Sequence, residues 1–113
     1  EKAKNREQLE IFGDGTQTRD FINVKDAVNA CMLALNYNGK ERIFNIGSGK
    51  ETSVNELVEL FKKYKPNLKV KYLRRRKGDI SRSYFDISRA RKELNFIPRV
   101  KLEDGIKELL EIF

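Results

Sequence analysis

Histidine is absent from this chain of 113 residues, and cysteine occurs once, at Cys31. A zinc site built from protein side chains is therefore nearly excluded, because histidine and cysteine are two of its favoured ligands. Cys31 cannot form an intramolecular disulfide, and its place within the apolar run 27–35 predicts a small buried core residue. No run approaches the ~20 apolar residues that span a bilayer, so we expect no membrane contact and a cytoplasmic location.

Positive charge is concentrated in one part of the chain, whose overall net charge is +7. Residues 61–100 carry 14 Lys and Arg against three Asp and Glu, a balance of +11, whereas the segments on either side are slightly acidic. A local cationic zone suits a polyanionic ligand such as nucleic acid, a membrane surface or a small diphosphate. A solvated charged face explains the same lysines without any ligand.

The hydrophobic pattern predicts a single domain, residues 1–113, of mixed α/β (α+β) class with short strands and about four helices. The first helix is apolar on nearly every face, so we expect it to be buried, and residues 1–8 are polar with helical propensity. The predicted strands are residues 9–12, 19–24, 42–47 and 69–73. The predicted helices are residues 27–37 with Asp26 as N-cap, a helix opened by a Ser53–Glu56 capping box, residues 87–94 capped by Asp86, and a last helix lined by Leu102, Ile106, Leu109, Leu110 and Phe113.

Two glycine clusters have the composition of nucleotide-binding turns but lack their full patterns. The first, Gly13 and Gly15, has Thr18 at the third fingerprint position and no helix after it. The second, residues 47–50, lies between a predicted strand and a predicted helix, but Glu51 stands where a P-loop needs Ser or Thr for magnesium. There is no histidine base and no nucleophile with an evident activating partner, so no catalytic residue is predicted.

Two arginine-containing stretches are the strongest candidates for binding chemistry. Arg19 follows a glycine-rich turn at the start of a predicted strand, and residues 74–79 are Arg-Arg-Arg-Lys-Gly-Asp. A guanidinium binds phosphate through two parallel hydrogen bonds, and the Asp79 carboxylate suits a donor such as a ribose hydroxyl. Two arginines converging on one diphosphate would form a nucleotide clamp; alternatively, Arg19 pairs with Asp20 or Asp14 and the basic run is a solvated loop.

Several short sequence blocks occur in a fixed order along the chain. They are Gly-Asp-Gly followed by Arg-Asp-Phe-Ile and Val-x-Asp, then Asn-Ile-Gly-Ser-Gly, and Arg-x-Gly-Asp followed by Asp-Ile-Ser and Leu-x-x-x-Pro. Together they resemble the C-terminal, substrate-binding part of extended short-chain dehydrogenases, the NAD-dependent epimerase/dehydratase family. Within this family, residues 9–106 are most similar to nucleotide-sugar epimerases of the UDP-glucose 4-epimerase type.

The resemblance implies roles for particular positions. Arg19 and Arg76 would bind the substrate diphosphate, Asp79 would bind the nucleotide ribose, and the main chain around Glu10 to Phe12 would contact the uracil base. The implied ligand is a UDP-sugar and the implied cofactor of the parent enzyme is NAD, with no NAD, metal or nucleic acid bound by this segment.

The resemblance also implies that the chain lacks the Rossmann domain and the Tyr-x-x-x-Lys pair of the family, since no tyrosine is followed four residues later by lysine. We therefore expect the chain to be catalytically inactive on its own. In the family, strand 42–47 lies at the edge of the Rossmann sheet, so it would be bare here and favour a homodimer or other self-association. The alternatives are a dehydratase, decarboxylase or reductase of the same family, or a small basic nucleic-acid-binding or adaptor module.

Overall fold

The computed structural model of the protein describes residues 8–112, which form four helices and four short strands. In chain order these are β1 (Leu9–Phe12), β2 (Thr18–Arg19), α1 (Val24–Leu35), β3 (Thr52–Ser53), α2 (Val54–Tyr64), β4 (Val70–Leu73), α3 (Ser88–Leu94) and α4 (Leu102–Ile112). This confirms the mixed α/β class with short strands and about four helices. Most of residues 1–8, for which helical propensity was predicted, lie outside the described residues. Phe113, predicted to line the last helix, lies outside them too. No helix within residues 8–112 is long and apolar enough to cross a membrane.

The strands form two separate pairs. β1 and β4 are parallel, with Leu9 opposite Val70 and Phe12 opposite Leu73, and the Gly13 N–H extends the ladder to the Leu73 carbonyl at 2.9 Å. Parallel strands end at the same edge, so the loops that follow Phe12 and Leu73 start side by side. β2 and β3 are antiparallel and only two residues long, with Arg19 opposite Thr52.

The capping box predicted for α2 is confirmed. The Ser53 hydroxyl accepts from the Glu56 N–H at 3.1 Å, and the Glu56 carboxylate accepts from the Ser53 N–H at 2.7 Å. Val58 of α2 and Ile106 of α4 are buried, and the Tyr64 hydroxyl donates to Glu103 at 3.0 Å, which joins the two helices. The buried apolar positions of both helices thus lie on the predicted stripes, but Leu109, which was also predicted to line the stripe of the last helix, is 52% exposed.

The main core lies around α3. Its buried members are Ala30, Ile87, Ala90, Leu94 and Phe96. α3 ends at Asn95 in the left-handed conformation, with φ 53°, which asparagine tolerates better than most residues. The helix begins one residue later than predicted, since Ile87 occupies the N-cap without a side-chain hydrogen bond and the Asp86 carboxylate instead accepts from the Ser88 N–H at 2.9 Å.

Two predicted strands are wrong. In residues 19–24 only Arg19 belongs to a strand, because Asn23 caps α1 by accepting from the Lys25 N–H at 2.9 Å and helix begins at Val24. Residues 42–47 pair with no other strand among the described residues, and Phe44 packs edge-to-face against Tyr37 with ring centroids 5.3 Å apart. An apolar alternation forms a strand only where a neighbour supplies the ladder.

The N-cap prediction for Asp26 is also wrong. Asp26 lies inside α1, is 5% exposed, and accepts from the backbone N–H groups of Arg99 (3.0 Å) and Val100 (2.9 Å). A buried carboxylate needs such donors, and these two come from the loop before α4. Asp26 thus fastens the 97–100 loop to α1.

The expected burial of α1 does not hold. Only Asp26 and Ala30 of this helix are buried, and Cys31, predicted to be a core residue, is exposed. An exposed apolar stripe runs along the helix, which we call the α1 stripe; it consists of Val24, Val28, Met32 and Leu35, with exposures of 71%, 56%, 55% and 78%. The sequence predicts a helix that is apolar on nearly every face, but nothing among the described residues covers this side.

Candidate functional site

Arg76 and Phe12 come together at the shared end of β1 and β4. The Arg76 guanidinium carbon lies 3.7 Å from the centroid of the Phe12 ring, so the planar cation stacks on the aromatic face. Phe12 is the last residue of β1, and Arg76 lies in the loop directly after β4. The parallel pairing of these strands is what places the two residues together.

Arg19 is held by three acceptors. One terminal nitrogen, Nη2, donates to Asp79 Oδ1 at 2.8 Å, while Nη1 donates to the carbonyls of Ile80 at 2.7 Å and Thr18 at 2.6 Å. The alternative in which Arg19 pairs with Asp20 or Asp14 is therefore wrong. The Arg19 side chain is 35% exposed and that of Asp79 is 21% exposed, so the pair remains open to solvent on one side.

Donors remain on Arg19 after these contacts. A guanidinium has five N–H donors, and three of those of Arg19 have acceptors within residues 8–112. Two donors are left, and the internal contacts fix the plane in which they lie. Such an orientation suits the two-point binding of a phosphate.

A tight turn links Arg76 to Asp79. The Asp79 N–H donates to the Arg76 carbonyl at 3.3 Å, and Gly78 within the turn has φ +80°. Arg75 reinforces the turn by donating to the Asp79 carbonyl at 3.1 Å and to the Ser81 hydroxyl at 2.6 Å. The contacts thus form a continuous chain from Phe12 through Arg76 and Asp79 to Arg19.

The main chain at the end of β1 is partly engaged. The Gln17 side-chain amide donates to the Phe12 carbonyl at 2.7 Å. A carbonyl oxygen has a second lone pair, so this contact does not by itself prevent a base from binding there. Glu10 is an exposed residue of β1, opposite Lys71 in the register, and the alternation of a strand places its side chain on the same face as Phe12.

Asp20 has a role that sequence reasoning missed. Its carboxylate accepts from the Ser48 N–H (2.7 Å), the Ser48 hydroxyl (2.5 Å), the Gly49 N–H (3.0 Å) and the Phe85 N–H (3.2 Å). A Cβ on Gly47 would lie 2.5 Å from this carboxylate, which explains the glycine there. The glycine-rich turn of residues 47–49 is therefore an anion-binding turn already filled by the protein's own carboxylate.

A second cluster lies beside β2, around Glu51. The Arg82 guanidinium donates to both carboxylate oxygens at 2.7 Å, and the Thr18 hydroxyl donates to one of them at 2.7 Å. The hydrogen bonds from Arg82 and then from Thr18 lower the pKa of the Glu51 carboxyl from 4.5 to about 2. Glu51, which the sequence marked only as a departure from a P-loop, joins the loop after Asp79 to β2.

Two cavities lie away from these arginines. One, of about 820 Å³, is bordered by α2 and the segment before α4, with Lys50, Asn55 and Arg99 in its wall. The other, of about 350 Å³, is mainly apolar and lies between α2 and α4. Neither is lined by Arg19, Arg76 or Asp79. Within residues 8–112 no group of three or more His, Cys, Asp and Glu is placed to hold a metal ion.

Comparison with known proteins places these observations in a family. The family described as GDP-mannose 4,6 dehydratase matches residues 1–109. A putative UDP-glucose 4-epimerase of Methanocaldococcus jannaschii is 44% identical over 109 residues, which is 95% of this chain and 34% of that protein. The chain thus spans about a third of the length of such relatives.

Solved structures give the same result. The UDP-glucose 4-epimerase of Thermotoga maritima with UDP-glucose matches with a TM-score of 0.90 and 38% identity, over 97% of this chain and 36% of that one. The UDP-glucuronic acid 4-epimerase of Bacillus cereus in complex with UDP-glucuronic acid and NAD matches with a TM-score of 0.87 and 30% identity, again over 97% and 36%. The resemblance stated from the sequence blocks is confirmed.

Proposed function

Since the chain belongs to the GDP-mannose 4,6 dehydratase family and corresponds to the C-terminal part of an extended short-chain dehydrogenase, we propose that it is the UDP-sugar-binding part of an NAD-dependent enzyme similar to UDP-glucose 4-epimerase. Arg19 and Arg76 bind the diphosphate, and Asp79 binds the ribose. The main chain from Glu10 to Phe12 contacts the uracil base.

The observation that carries this proposal is the orientation of Arg19. Its guanidinium is fixed by Asp79 and two carbonyls, and two of its N–H donors have no acceptor within residues 8–112. Arg76 is fixed separately by stacking on Phe12. The Arg76–Asp79 turn joins the two arginines, so both can act on one diphosphate with little side-chain entropy left to lose.

Asp79 serves two purposes in this account. Its Oδ1 holds Arg19 at 2.8 Å, and its other oxygen can accept a hydrogen bond from a ribose hydroxyl. A carboxylate also offsets part of the positive charge at the site before the ligand arrives. The diphosphate then completes the neutralisation.

We place NAD chemistry outside this chain. The glycine-rich turn of residues 47–49 is filled by the Asp20 carboxylate, and no tyrosine has a lysine four residues later. We therefore expect no interconversion of UDP-glucose and UDP-galactose by the chain with added NAD, and measurable turnover would contradict this. The cytoplasmic location stays a prediction.

The partner we propose is the Rossmann domain of the same enzyme class, bound at the α1 stripe and residues 42–46. These residues include the strongly exposed apolar side chains of Leu35 and Ile43, at 78% and 73%. Without that domain, the same surface favours homodimers or other self-association, because exposed apolar area drives non-specific contact.

An alternative reaction of the same family remains open to test. The matching family is described as a dehydratase, and the clamp residues bind only the nucleotide diphosphate, which dehydratases, decarboxylases and reductases on nucleotide sugars share. The nucleic-acid alternative would use the basic surface instead. Salt-sensitive binding of random DNA that is tighter than binding of UDP would support it.

Calorimetric titration with UDP tests the proposal. We expect wild type to bind UDP and Arg19→Ala to bind at least about tenfold more weakly, because a hydrogen bond to a charged group contributes about 1.5–3 kcal/mol. Arg42→Ala is the matched control, since Arg42 is exposed and, within residues 8–112, donates only to the carbonyls of Gly39 and Glu41. No UDP binding by wild type, or an equal loss in both variants, would contradict the proposal.

A further inference from the structure

Glu51 is hydrogen-bonded to residues on both sides of Arg19, the first arginine of the proposed diphosphate site. Its side chain is 23% exposed, whereas that of its partner Arg82 is 72% exposed. One carboxylate oxygen accepts from both the Thr18 hydroxyl and Arg82 Nε, and the other accepts from Arg82 Nη2, all at 2.7 Å. Glu51 is therefore the shared acceptor of two segments that are distant in sequence.

These two segments are the ones that orient Arg19. Thr18 precedes Arg19 in β2, and its N–H donates to the Ser81 carbonyl at 2.9 Å. In the second segment, Asp79 and Ile80 accept hydrogen bonds from the guanidinium of Arg19, and Arg82 lies two residues after Ile80. Glu51 thus closes a ring of hydrogen bonds that contains the backbone and the side chain of Arg19.

The strand pairing at this point is too short to fix the segments alone. β2 and β3 pair over two residues each, and a two-stranded ladder of ordinary length is already only marginally stable in water. Residues 74–82 are mostly exposed and contain no helix or strand after Leu73. The Glu51 contacts are the side-chain links that hold residue 82 of this loop to β2.

We propose that Glu51 is a positioning residue for the diphosphate site: through Thr18 and Arg82 it holds Arg19 and the 79–82 loop in the geometry that binds a nucleotide diphosphate. This inference rests on the proposed function. Glu51 does not touch the ligand, so its whole effect on affinity passes through Arg19 and its acceptors.

A double-mutant cycle with UDP as the probe tests this role. We expect Glu51→Gln to weaken UDP binding about fivefold, within the range of coupling measured between residues of one network. In the background of Arg19→Ala the same substitution should weaken binding by a clearly smaller factor, because the arginine is gone and only the Asp79 contact with the ribose is left for Glu51 to position. Arg82→Gln should follow the same pattern from the other side of the ion pair.

The control is Glu59→Gln, which removes an ion pair with Lys62 on the exposed side of α2, outside this network; it should leave UDP affinity unchanged. A general structural effect of Glu51→Gln would lower affinity equally with and without Arg19, and that result would overturn the inference. The inference would also be overturned if Glu51→Gln left the affinity unchanged and Arg19→Ala weakened binding as expected. If wild type binds no UDP, it is the proposed function itself that fails.

Discussion

At the scale of single residues, three acidic side chains each bind groups that are distant in sequence. Asp20 fills the glycine-rich turn, Asp26 holds the 97–100 loop, and Asp79 holds Arg19. Their partners lie 28 to 74 residues away in sequence. Composition and spacing suggested local roles for the first two, as ion-pair partner and helix cap. Side chains with distant partners are where sequence reasoning was weakest.

Substitution of Asp20 tests its structural role. We expect Asp20→Asn to lower the free energy of unfolding by about 1–3 kcal/mol, because an amide replaces an acceptor-only carboxylate and leaves N–H groups of the turn without a good acceptor. Urea denaturation followed by circular dichroism measures the change. Asp104→Asn, in the exposed first turn of α4, should cost less than about 0.5 kcal/mol. Equal losses in the two variants would show that the turn does not depend on Asp20.

The arginine pair could be chosen from sequence, but its geometry could not. A guanidinium after a turn and a second one beside Gly-Asp indicate phosphate chemistry in general. That Asp79 would bind Arg19, and that Arg76 would stack on Phe12, depends on the parallel pairing of β1 with β4. No local pattern encodes that pairing, because the strands are separated by α1 and α2.

At the scale of elements, several local signals succeeded, although the N-caps predicted at Asp26 and Asp86 were wrong, and non-local signals failed. The capping box of α2 depends on residues three apart, and it is present as predicted. The last helix and the left-handed end of α3 are also local features. Residues 42–47, in contrast, have a strand-like alternation but no neighbouring strand among the described residues. An extended segment becomes a strand only when the fold supplies its partner.

The α1 stripe gives a prediction about an element. We expect Val28→Lys to change the free energy of unfolding by less than about 0.5 kcal/mol, because Val28 is 56% exposed. The same substitution should reduce self-association, since it places a charge in the middle of the apolar stripe. Sedimentation velocity over a range of protein concentrations measures the association.

The matched control is Asn29→Lys, which adds the same charge to the same helix outside the α1 stripe. It should leave self-association close to that of wild type. If both variants associate as strongly as wild type does, the α1 stripe is not the contact surface.

At the scale of the whole molecule, charge is organised differently from what the composition suggests. The basic zone predicted a polyanion-binding face, but several of its cations are paired: Arg82 with Glu51, Lys63 with Glu103 and Arg89 with Glu41. Arg74 and Lys77 remain exposed near the proposed site. The fold class could thus be predicted from periodicity, whereas the division between paired and available cations required the tertiary structure.

These pairs predict how stability depends on pH. Hydrogen bonds from Arg82 and Thr18 lower the pKa of Glu51 from 4.5 to about 2, and bonds from Lys63 and Tyr64 lower the pKa of Glu103. A group whose pKa is lower in the folded state stabilises the fold fully above its unfolded pKa, and this contribution is lost as the pH falls through its folded pKa. We therefore expect the urea concentration at the unfolding midpoint to decrease as the pH is lowered from about 4.5 to about 2. Glu51→Gln should flatten this fall, and an unchanged slope would contradict the assignment.

The central claim is that Arg19 in β2 and Arg76 in the loop after β4 bind one nucleotide diphosphate, and the comparison of Arg76→Ala with Arg74→Ala tests it most directly. Both residues are exposed cations of the same loop, but only Arg76 is seen to stack on Phe12 in the described part of the chain. In calorimetric titration with UDP, we expect Arg76→Ala to weaken binding about tenfold and Arg74→Ala less than about twofold. Equal weakening in the two variants would mean that UDP senses only the net charge of the loop, and the clamp would be wrong.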